Sequence, residues 1–436
     1  MHEIQPEQNS HNDSPLLEEL TTAYKDLSTK RFVTGGLGLT DALQCSDIRV
    51  SALAYIEIDK FGRKLNEIIV KDGRFPGDSV RMVQGDGGAC GFYPQFVGVP
   101  LIRRTLQTGN PVEAIEWLQK VLGITVASGK VIHALWGVSV EEEIQLTPNV
   151  KIVPIELLPD SEQKQWITGH SYFRSGSPVA SMLNFTPAKS ALVADRRIEP
   201  FTFNPDSQSQ NSNDEFEKMH ELLSDITLVL SVVGPRVVLS STQWFTFDDP
   251  DLEQATMLSG QRRQPMLEIL PSHNLDYPML DSVEAQEIVR AYLVLNGNAR
   301  SKVRVALERL SQALRRRNVG DRSVELSTAF EALLGDNATN EMTHKIKVRS
   351  VRLIGGNEVV RKRNAAIINK AYSIRSKLVH TGHVSSNEIE SICGERMGVE
   401  AIIGEALLMC VDLIKIIIRR GSIPDWSVFD ITERAP

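Results

Sequence analysis

The chain has 436 residues, of which 42% are hydrophobic and 24% are charged, and its formal net charge is −7. These values are typical of a soluble globular protein with two or three domains. The charge is uneven, because residues 284–436 carry 24 Lys and Arg against 18 Asp and Glu, whereas the remainder carries 24 against 37. The basic C-terminal part favours a polyanionic partner there, although a solvated helical surface would give the same count.

Cysteine spacing and hydropathy argue against a structural zinc site, a signal peptide and a membrane span. The four cysteines form no Cys-x-x-Cys pair and have no pair of histidines at metal-binding spacing beside them, so we expect free thiols and no metal. Residues 1–15 lack the apolar core of a signal peptide, and the most apolar run, 401–418, is interrupted by charged residues. These features predict a cytoplasmic protein with no membrane partner.

The N-terminal region predicts a sheet-rich mixed α/β domain over residues 16–280, preceded by a disordered tail over residues 1–15. Asn110 and Pro111 give the clearest helix start, since Asn caps a helix and Pro suits its first turn, and this helix should run to residue 122. Other helices are predicted over 16–27 and 215–233. Strands are predicted over 48–58, 67–70, 80–83, 130–140, 150–155 and 237–247.

Three polar or glycine-rich runs interrupt this region. Residues 34–40 and 85–91 are rich in glycine and could wrap a phosphate. Neither run has the spacing of a P-loop or of a dinucleotide-binding turn, so plain loops are the simpler interpretation. Residues 204–214 are polar and of low complexity, and they predict an exposed loop.

From about residue 281 the apolar spacing becomes helical, with short turns that contain Gly or Asn. This pattern predicts an all-α bundle over residues 281–436. The expected fold class is therefore α+β, with the sheet-rich domain first and the helical bundle second. The predicted helices cover residues 284–295, 298–316, 322–334, 340–354, 358–380, 386–393 and 396–420.

Arg375 and His380 form the strongest candidate site, near the end of the predicted helix 358–380 and just before Gly382. Arginine grips phosphate oxygens, and histidine exchanges a proton near neutral pH, so the pair suits cleavage of RNA by its own 2′-hydroxyl without a metal. Five positions turn the two side chains about 140° apart on a straight helix. They share a pocket only if the helix loosens near His380 or if a second chain supplies part of the site. Without its surroundings, the bare pair is better described as a surface arginine and a structural histidine.

The surroundings of the pair resemble the signature of HEPN domains, particularly of the Apea-like branch. Residues 321–334, with the pattern Leu…Phe-Glu-Ala-Leu-Leu, are similar to an earlier helix of that branch, and residues 423–426 are similar to its usual tail. The resemblance covers about residues 284–436. The signature run itself is Tyr372-Ser373-Ile374-Arg375-Ser376-Lys377-Leu378-Val379-His380-Thr381-Gly382.

The HEPN resemblance implies an endoribonuclease that acts as a homodimer, in which two copies of the motif face one cleft. His380 would be the general acid or base, Arg375 would stabilise the transition-state phosphate, and no cofactor would be needed. The substrate would be single-stranded RNA or a tRNA loop. The resemblance also implies a toxin-like role in antiviral defence by abortive infection, in which the N-terminal domain restrains the nuclease until a phage-derived trigger arrives.

Neighbouring residues have candidate supporting roles. Ser376 occupies a polar position of the resembled signature and could bind a phosphate or the histidine. Tyr372 could stack on a base or fix Arg375, or it could be a core tyrosine. Lys377 could contact RNA or only solvent, and Glu331 could orient the Arg375/His380 pair or be a surface carboxylate. Candidate RNA contacts on the basic rim are Lys345, Arg349, Arg361, Lys362 and Arg363.

Two other functions fit the same sequence. The C-terminal region could be a HEPN-fold dimer that binds RNA or protein without cleaving either. Alternatively, the chain could be a small-molecule enzyme or sensor that uses the glycine-rich runs 34–40 and 85–91 as its binding site. The three functions differ in what they require of Arg375 and His380, because only the nuclease needs both.

Overall fold

The structure is a computed structural model of the chain with mixed α+β architecture. The first five helices are α1 (Pro15–Thr29), α2 (Leu39–Leu43), α3 (Ile48–Lys71), α4 (Gly98–Thr108) and α5 (Pro111–Gly123). The structure describes residues 14–32, 36–43, 45, 47–75, 77, 81–85, 88–92, 96–124, 126–161, 164, 167–168, 188–198, 201–202, 211–234, 236–255, 261–263, 277–336 and 341–432.

Helices α1 and α5 confirm two predictions from the sequence. In α1, one stripe of residues at helical spacing is fully buried, and Pro15 occupies the first turn. In α5, the side chain of Asn110 accepts a hydrogen bond from the backbone N–H of Val112 at 3.0 Å, as an N-cap should. The buried stripe of α1 consists of Leu16, Leu20, Ala23 and Leu27.

The strands predicted over residues 48–58 and 67–70 were wrong, because both segments belong to α3 (Ile48–Lys71). Its buried residues recur every three to four positions, which is the period of a helix and not of a strand. Asp47 caps the helix by accepting from the backbone N–H of Arg49 at 2.9 Å. The partial alternation of apolar residues was therefore coincidental. The buried residues are Val50, Ala54, Ile58, Leu65 and Ile69.

A six-stranded antiparallel sheet forms the centre of the N-terminal half, in the order β4-β5-β6-β3-β8-β9. Strands β3, β5 and β8 confirm the predictions over 130–140, 150–155 and 237–247, with bounds that differ by up to four residues. A smaller antiparallel sheet has the order β2-β1-β7, and its β1 lies in the region predicted over 80–83. The strands are β1 (Arg81–Gly85), β2 (Gly88–Phe92), β3 (Ala127–Trp136), β4 (Ile144–Thr147), β5 (Val150–Pro154), β6 (Ser190–Ile198), β7 (Phe201–Thr202), β8 (Leu239–Phe247) and β9 (Gln261–Arg263).

Helix α6 (Asn211–Leu230) corrects part of the predicted loop over 204–214, because residues 211–214 form its first turn. Residues 204–210 lie outside the described ranges. Of the glycine-rich runs, residues 85 and 88–91 belong to the hairpin of β1 and β2, and residues 34–35 and 86–87 are not described. A short helix, α7 (Pro250–Ala255), follows β8.

The C-terminal half is largely helical, and five of its predicted helices are confirmed with bounds shifted by up to three residues. They are α8 (Ser282–Leu293), α9 (Gly297–Arg315), α10 (Val319–Leu334), α11 (Met342–Ile354) and α12 (Glu358–Thr381). The helix predicted over 396–420 is likewise confirmed as α13 (Val399–Arg420), and α14 (Trp426–Phe429) is a further helix. Among the described residues, no helix combines the length and hydropathy needed to cross a membrane.

The prediction of a helix over residues 386–393, and of an all-α C-terminal part, was wrong. Strands β10 (Ile389–Ile392) and β11 (Glu395–Gly398) form an antiparallel hairpin instead. Cys393 and Gly394 at its tip have φ angles of +50° and +91°, the left-handed region that a two-residue hairpin turn requires. Ile392 and Met397 are buried and anchor the hairpin to the core. Helix α13 accordingly starts at Val399 and not at residue 396.

Residues 277–279, next to the predicted domain boundary near residue 280, are hydrogen-bonded to the N-terminal half. Arg236 is buried and donates hydrogen bonds to the backbone carbonyls of Pro278 at 2.7 Å and Met279 at 3.1 Å. Ser139 donates its hydroxyl to the carbonyl of Tyr277 at 2.9 Å. One continuous cluster of buried apolar residues includes α1 to α6 and the C-terminal helices, so the two halves share a core.

Candidate functional site

Helix α12 carries Arg375 and His380, and it remains regular through both positions. It begins after Asn357, which accepts from the backbone N–H of Val360 at 3.0 Å, and it ends at Gly382, whose φ is +70°. The helix therefore does not loosen near His380. The two side chains leave the helix about 140° apart, so a single chain does not bring them onto one face. If the two residues share one pocket, a second chain must therefore supply part of it.

Arg375 is partly buried, and its Nε is shielded from solvent without a hydrogen-bond partner. Among the described residues, no carboxylate forms an ion pair with it. Four other cations of the same helix do pair with glutamates at 2.6 to 2.8 Å. Among the described residues, the Nε of Arg375 thus has no partner. The four paired cations are Lys362, Arg363, Lys370 and Lys377.

His380 is exposed in the last turn of α12, and Ser376 is exposed one turn before it. Residues four apart lie on one face of a helix, so these two polar side chains are neighbours on the solvent side. The hydroxyl of Thr381 donates to the carbonyl of Lys377 at 2.7 Å in the last turn, and it accepts from the backbone N–H of His383 at 3.4 Å, so it joins the helix to the turn that follows. An imidazole in this position can meet a large substrate without any movement of the protein.

Tyr372 is a core residue, 7% exposed, so it is not placed to stack on a base. Its hydroxyl donates to the backbone carbonyl of Ser327 at 3.2 Å and lies 3.5 Å from Oε1 of Glu331. Burial, together with the Glu331 carboxylate, raises the pKa of Tyr372 above its ordinary value. Glu331 therefore meets Tyr372, and among the described contacts it forms no hydrogen bond with Arg375 or His380. The role of this pair is to join α10 to α12.

Arg349, a candidate RNA contact, is 1% exposed and belongs to the protein interior. Its guanidinium pairs with Asp336 at 2.7 Å and with Asp430 at 2.6 Å, and it lies 4.8 Å from the ring centroid of Trp426. Lys345 pairs with the same Asp336 at 3.0 Å. The prediction that Arg349 contacts RNA was wrong, because spacing along a helix does not reveal which cations are buried.

The remaining candidate RNA contacts lie at the start of α12. Arg361 is exposed and has no ion pair among the described residues, whereas Lys362 pairs with Glu358 at 2.6 Å. Both side chains line a surface pocket of about 420 Å³ beside Gly356. Arg363 is less accessible, because it pairs with Glu395 at 2.8 Å and with Glu405 at 2.6 Å. These two carboxylates raise the pKa of Arg363.

Sequence reasoning missed the glutamates of the β10–β11 hairpin. Glu388 lies 2.7 Å from the Lys377 ammonium, and Glu390 lies 2.7 Å from that of Lys370. The spacing of seven residues between Lys370 and Lys377 indicates a shared helix face, but nothing in the sequence indicates which acids cover it. Within the described ranges, no three His, Cys, Asp or Glu side chains are grouped so as to hold a metal ion.

No protein-family model matches the chain, and neither a curated protein nor a solved structure does. The HEPN resemblance therefore rests on residues 321–334, 372–382 and 423–426 of the sequence alone, and it stays a prediction.

Proposed function

We propose that the protein is a metal-independent endoribonuclease of the HEPN type, which cleaves single-stranded RNA or tRNA loops as a homodimer. The observation that carries this proposal is the Arg375 guanidinium without an ion pair, five residues before an exposed histidine. Arg375 is only partly buried, but its shielded Nε lacks a hydrogen-bond partner, and an anion that arrives from outside would supply one. Phosphate is the anion that suits the fork of donors on arginine.

The divergence of Arg375 and His380 supports a site composed of two chains. In a twofold dimer, the arginine of one protomer and the histidine of its partner can approach the same phosphate from opposite sides. The exposed outer face of α12 near its C-terminal end leaves room for such an approach. This face includes Ser373, Ser376, Val379 and His380.

The proposed reaction is an internal transfer of the RNA phosphate. His380 removes the proton of a 2′-hydroxyl, and the 2′-oxygen forms a bond to the neighbouring phosphorus. The bond from phosphorus to the 5′-oxygen breaks, and that oxygen takes up a proton from an acid. Arg375 offsets the charge that develops on the phosphate oxygens. The products are a 2′,3′-cyclic phosphate and a 5′-hydroxyl, and no metal ion or cofactor takes part in these steps.

A cleavage assay with purified protein and labelled single-stranded RNA in EDTA tests the proposal. We expect the wild type to produce 2′,3′-cyclic phosphate ends, and we expect His380→Ala and Arg375→Ala to lower the rate by at least about 100-fold. Matched controls are His383→Ala, an exposed histidine beyond the helix, and Arg420→Ala, an exposed arginine of α13. Equal cleavage by all four variants would mean that the site is elsewhere. RNA binding without cleavage by the wild type would favour the non-catalytic module.

We further propose that the N-terminal half restrains the nuclease and that the biological role is antiviral defence. The shared core and the Arg236 contacts to residues 278–279 support mechanical coupling between the two halves. The antiviral role follows from the HEPN resemblance alone. A test is cell survival after phage infection with wild-type protein or His380→Ala, since only the wild type should halt the infected cell.

A further inference from the structure

Three cations lie on one face of α12 because they are spaced seven residues apart, which is close to two full turns. They are Arg363, Lys370 and Lys377, and each of them forms an ion pair with a glutamate in or next to the β10–β11 hairpin. Glu388 directly precedes β10 and Glu390 lies within it, and both meet cations of the same face of α12. The hairpin thus places an acidic row, Glu388, Glu390 and Glu395, against a basic stripe of α12, which consists of Arg363, Lys370 and Lys377.

The acidic row is held in place by the core. Ile392 and Met397, one from each strand, are 1% and 8% exposed, and they fix the hairpin against the helices. The Sδ of Met397 also lies 3.4 Å from the Arg363 guanidinium. The glutamates are therefore permanent partners of the basic stripe and do not belong to a loosely attached loop. Their own side chains remain partly accessible, since Glu388 is 32% exposed and Glu390 is 28% exposed.

The basic stripe borders the candidate catalytic face. Lys377 precedes His380 by three positions, and residues three apart are neighbours on a helix surface. An RNA backbone that reached His380 would therefore pass close to Lys377 and Lys370. With both lysines neutralised by glutamates, the cations of α12 without an ion pair among the described residues are Arg361 and Arg375.

We propose that Glu388 and Glu390 determine where RNA binds, by neutralising Lys370 and Lys377 on one side of α12 and leaving Arg375 as the preferred phosphate contact of this helix. This inference depends on the proposed function only in its choice of RNA as the ligand. These two ion pairs suppress non-specific binding of RNA along α12, because they neutralise Lys370 and Lys377. Removing them should increase RNA affinity and should make binding more sensitive to salt, because two additional cations then meet phosphates.

The test uses the double variant Glu388→Gln, Glu390→Gln. Both substitutions are made in the His380→Ala background, so that the protein does not cleave the RNA probe. Fluorescence anisotropy follows the binding of labelled oligouridine of about 20 nucleotides as the salt concentration is raised. Compared with His380→Ala alone, we expect the slope of log affinity against log salt to steepen by about 1.4, because each contact to single-stranded RNA contributes about 0.7. The affinity at low salt should rise roughly tenfold. Glutamine keeps the shape of each side chain, and thermal unfolding checks that the fold is retained.

A charge-matched control separates a local screen from a change in net charge. Glu141 and Glu142 are exposed in the segment between β3 and β4, and replacing both by glutamine alters the net charge by the same amount. An equal gain in affinity in this control would overturn the proposal, as would an unchanged slope or undetectable binding in the Glu388/Glu390 variant. The nuclease proposal is judged separately by cleavage with the wild type, since the anisotropy experiment gives its answer whether or not wild-type protein cuts RNA.

Discussion

Arg349 and Asp430 form a bidentate ion pair, although they are 81 positions apart in the sequence. The Nε of Arg349 lies 3.0 Å from Oδ1 of Asp430, and Nη2 lies 2.6 Å from Oδ2. The same guanidinium binds Asp336 and the backbone carbonyl of Leu334. Because Asp430 directly follows α14, this pair attaches the C-terminal segment to α11. Its role is structural.

The first prediction concerns the stability of this attachment. Replacing Arg349 by Met removes the ion pair of Asp430 and leaves Asp336 with Lys345. Loss of one member of a buried pair typically costs about 3–5 kcal/mol, and we expect the lower end of this range because the two carboxylates are partly exposed. Urea unfolding should show this loss in the free energy of unfolding. Arg361→Met is the matched control, because its side chain is exposed and its change should stay within about 0.5 kcal/mol. Equal stabilities of the two variants would contradict the structural role of Arg349.

The second prediction concerns alkaline pH and the contact between α6 and α8. Buried Tyr292 donates to Oδ2 of Asp225 at 3.0 Å. Burial and the Asp225 carboxylate raise the pKa of Tyr292 above its ordinary value of 10.0. The folded state thus holds this proton more tightly, so the contribution of Tyr292 is complete below pH 10 and decreases as the pH rises above it.

Comparison with Tyr292→Phe isolates this effect. Below pH 10 the variant should be less stable by about 1.5–3 kcal/mol, because a hydrogen bond to a charged group is lost. Above pH 10 the difference from the wild type should shrink. The measurement is the free energy of unfolding from pH 8 to pH 11, and a difference that stays constant over this range would contradict the account.

The third prediction concerns the close approach of α3 and α4. A Cβ added at Gly98 would lie 2.2 Å from the backbone oxygen of Gly62 and 2.8 Å from Oδ1 of Asn66. Gly98→Ala should therefore destabilise the protein by about 1–3 kcal/mol through overpacking. Gly123→Ala is the control, because that position has open space and should give a neutral or slightly stabilising change. Thermal unfolding distinguishes the two, and equal melting temperatures would show that the helices can move apart.

The sequence predicted elements best where local chemistry determines them. Asn110 and Pro111 specify the start of α5, and the capping residue Asn357 and Gly382 mark the two ends of α12. The first part of α3 was assigned to a strand because short apolar runs fit both periods, and only burial against other helices distinguishes them. The β10–β11 hairpin was missed for a related reason, since its turn depends on Cys393 adopting a positive φ.

The positions of Arg375 and His380 could be predicted from the sequence, but the ion pairs of the cations around them could not. Helical spacing placed Arg375 and His380 on α12 and gave their divergence, and the structure shows no break that would bring them together. The pairing of Lys377 with Glu388, and of Arg349 with Asp430, depends on contacts between distant segments. A single sequence carries no local indication of such contacts. For this reason the basic rim appeared larger from the sequence than it is on the surface of the protein.

The central claim is that Arg375 of one protomer and His380 of its partner act on the same phosphate, and mixing two inactive variants tests it most directly. Arg375→Ala and His380→Ala protein are unfolded together, refolded as a mixture, and assayed for RNA cleavage in EDTA. If sites are shared between chains, each mixed dimer contains one intact site, and random pairing should restore about a quarter of the wild-type rate. A mixture that remains as inactive as either variant alone would contradict the shared site.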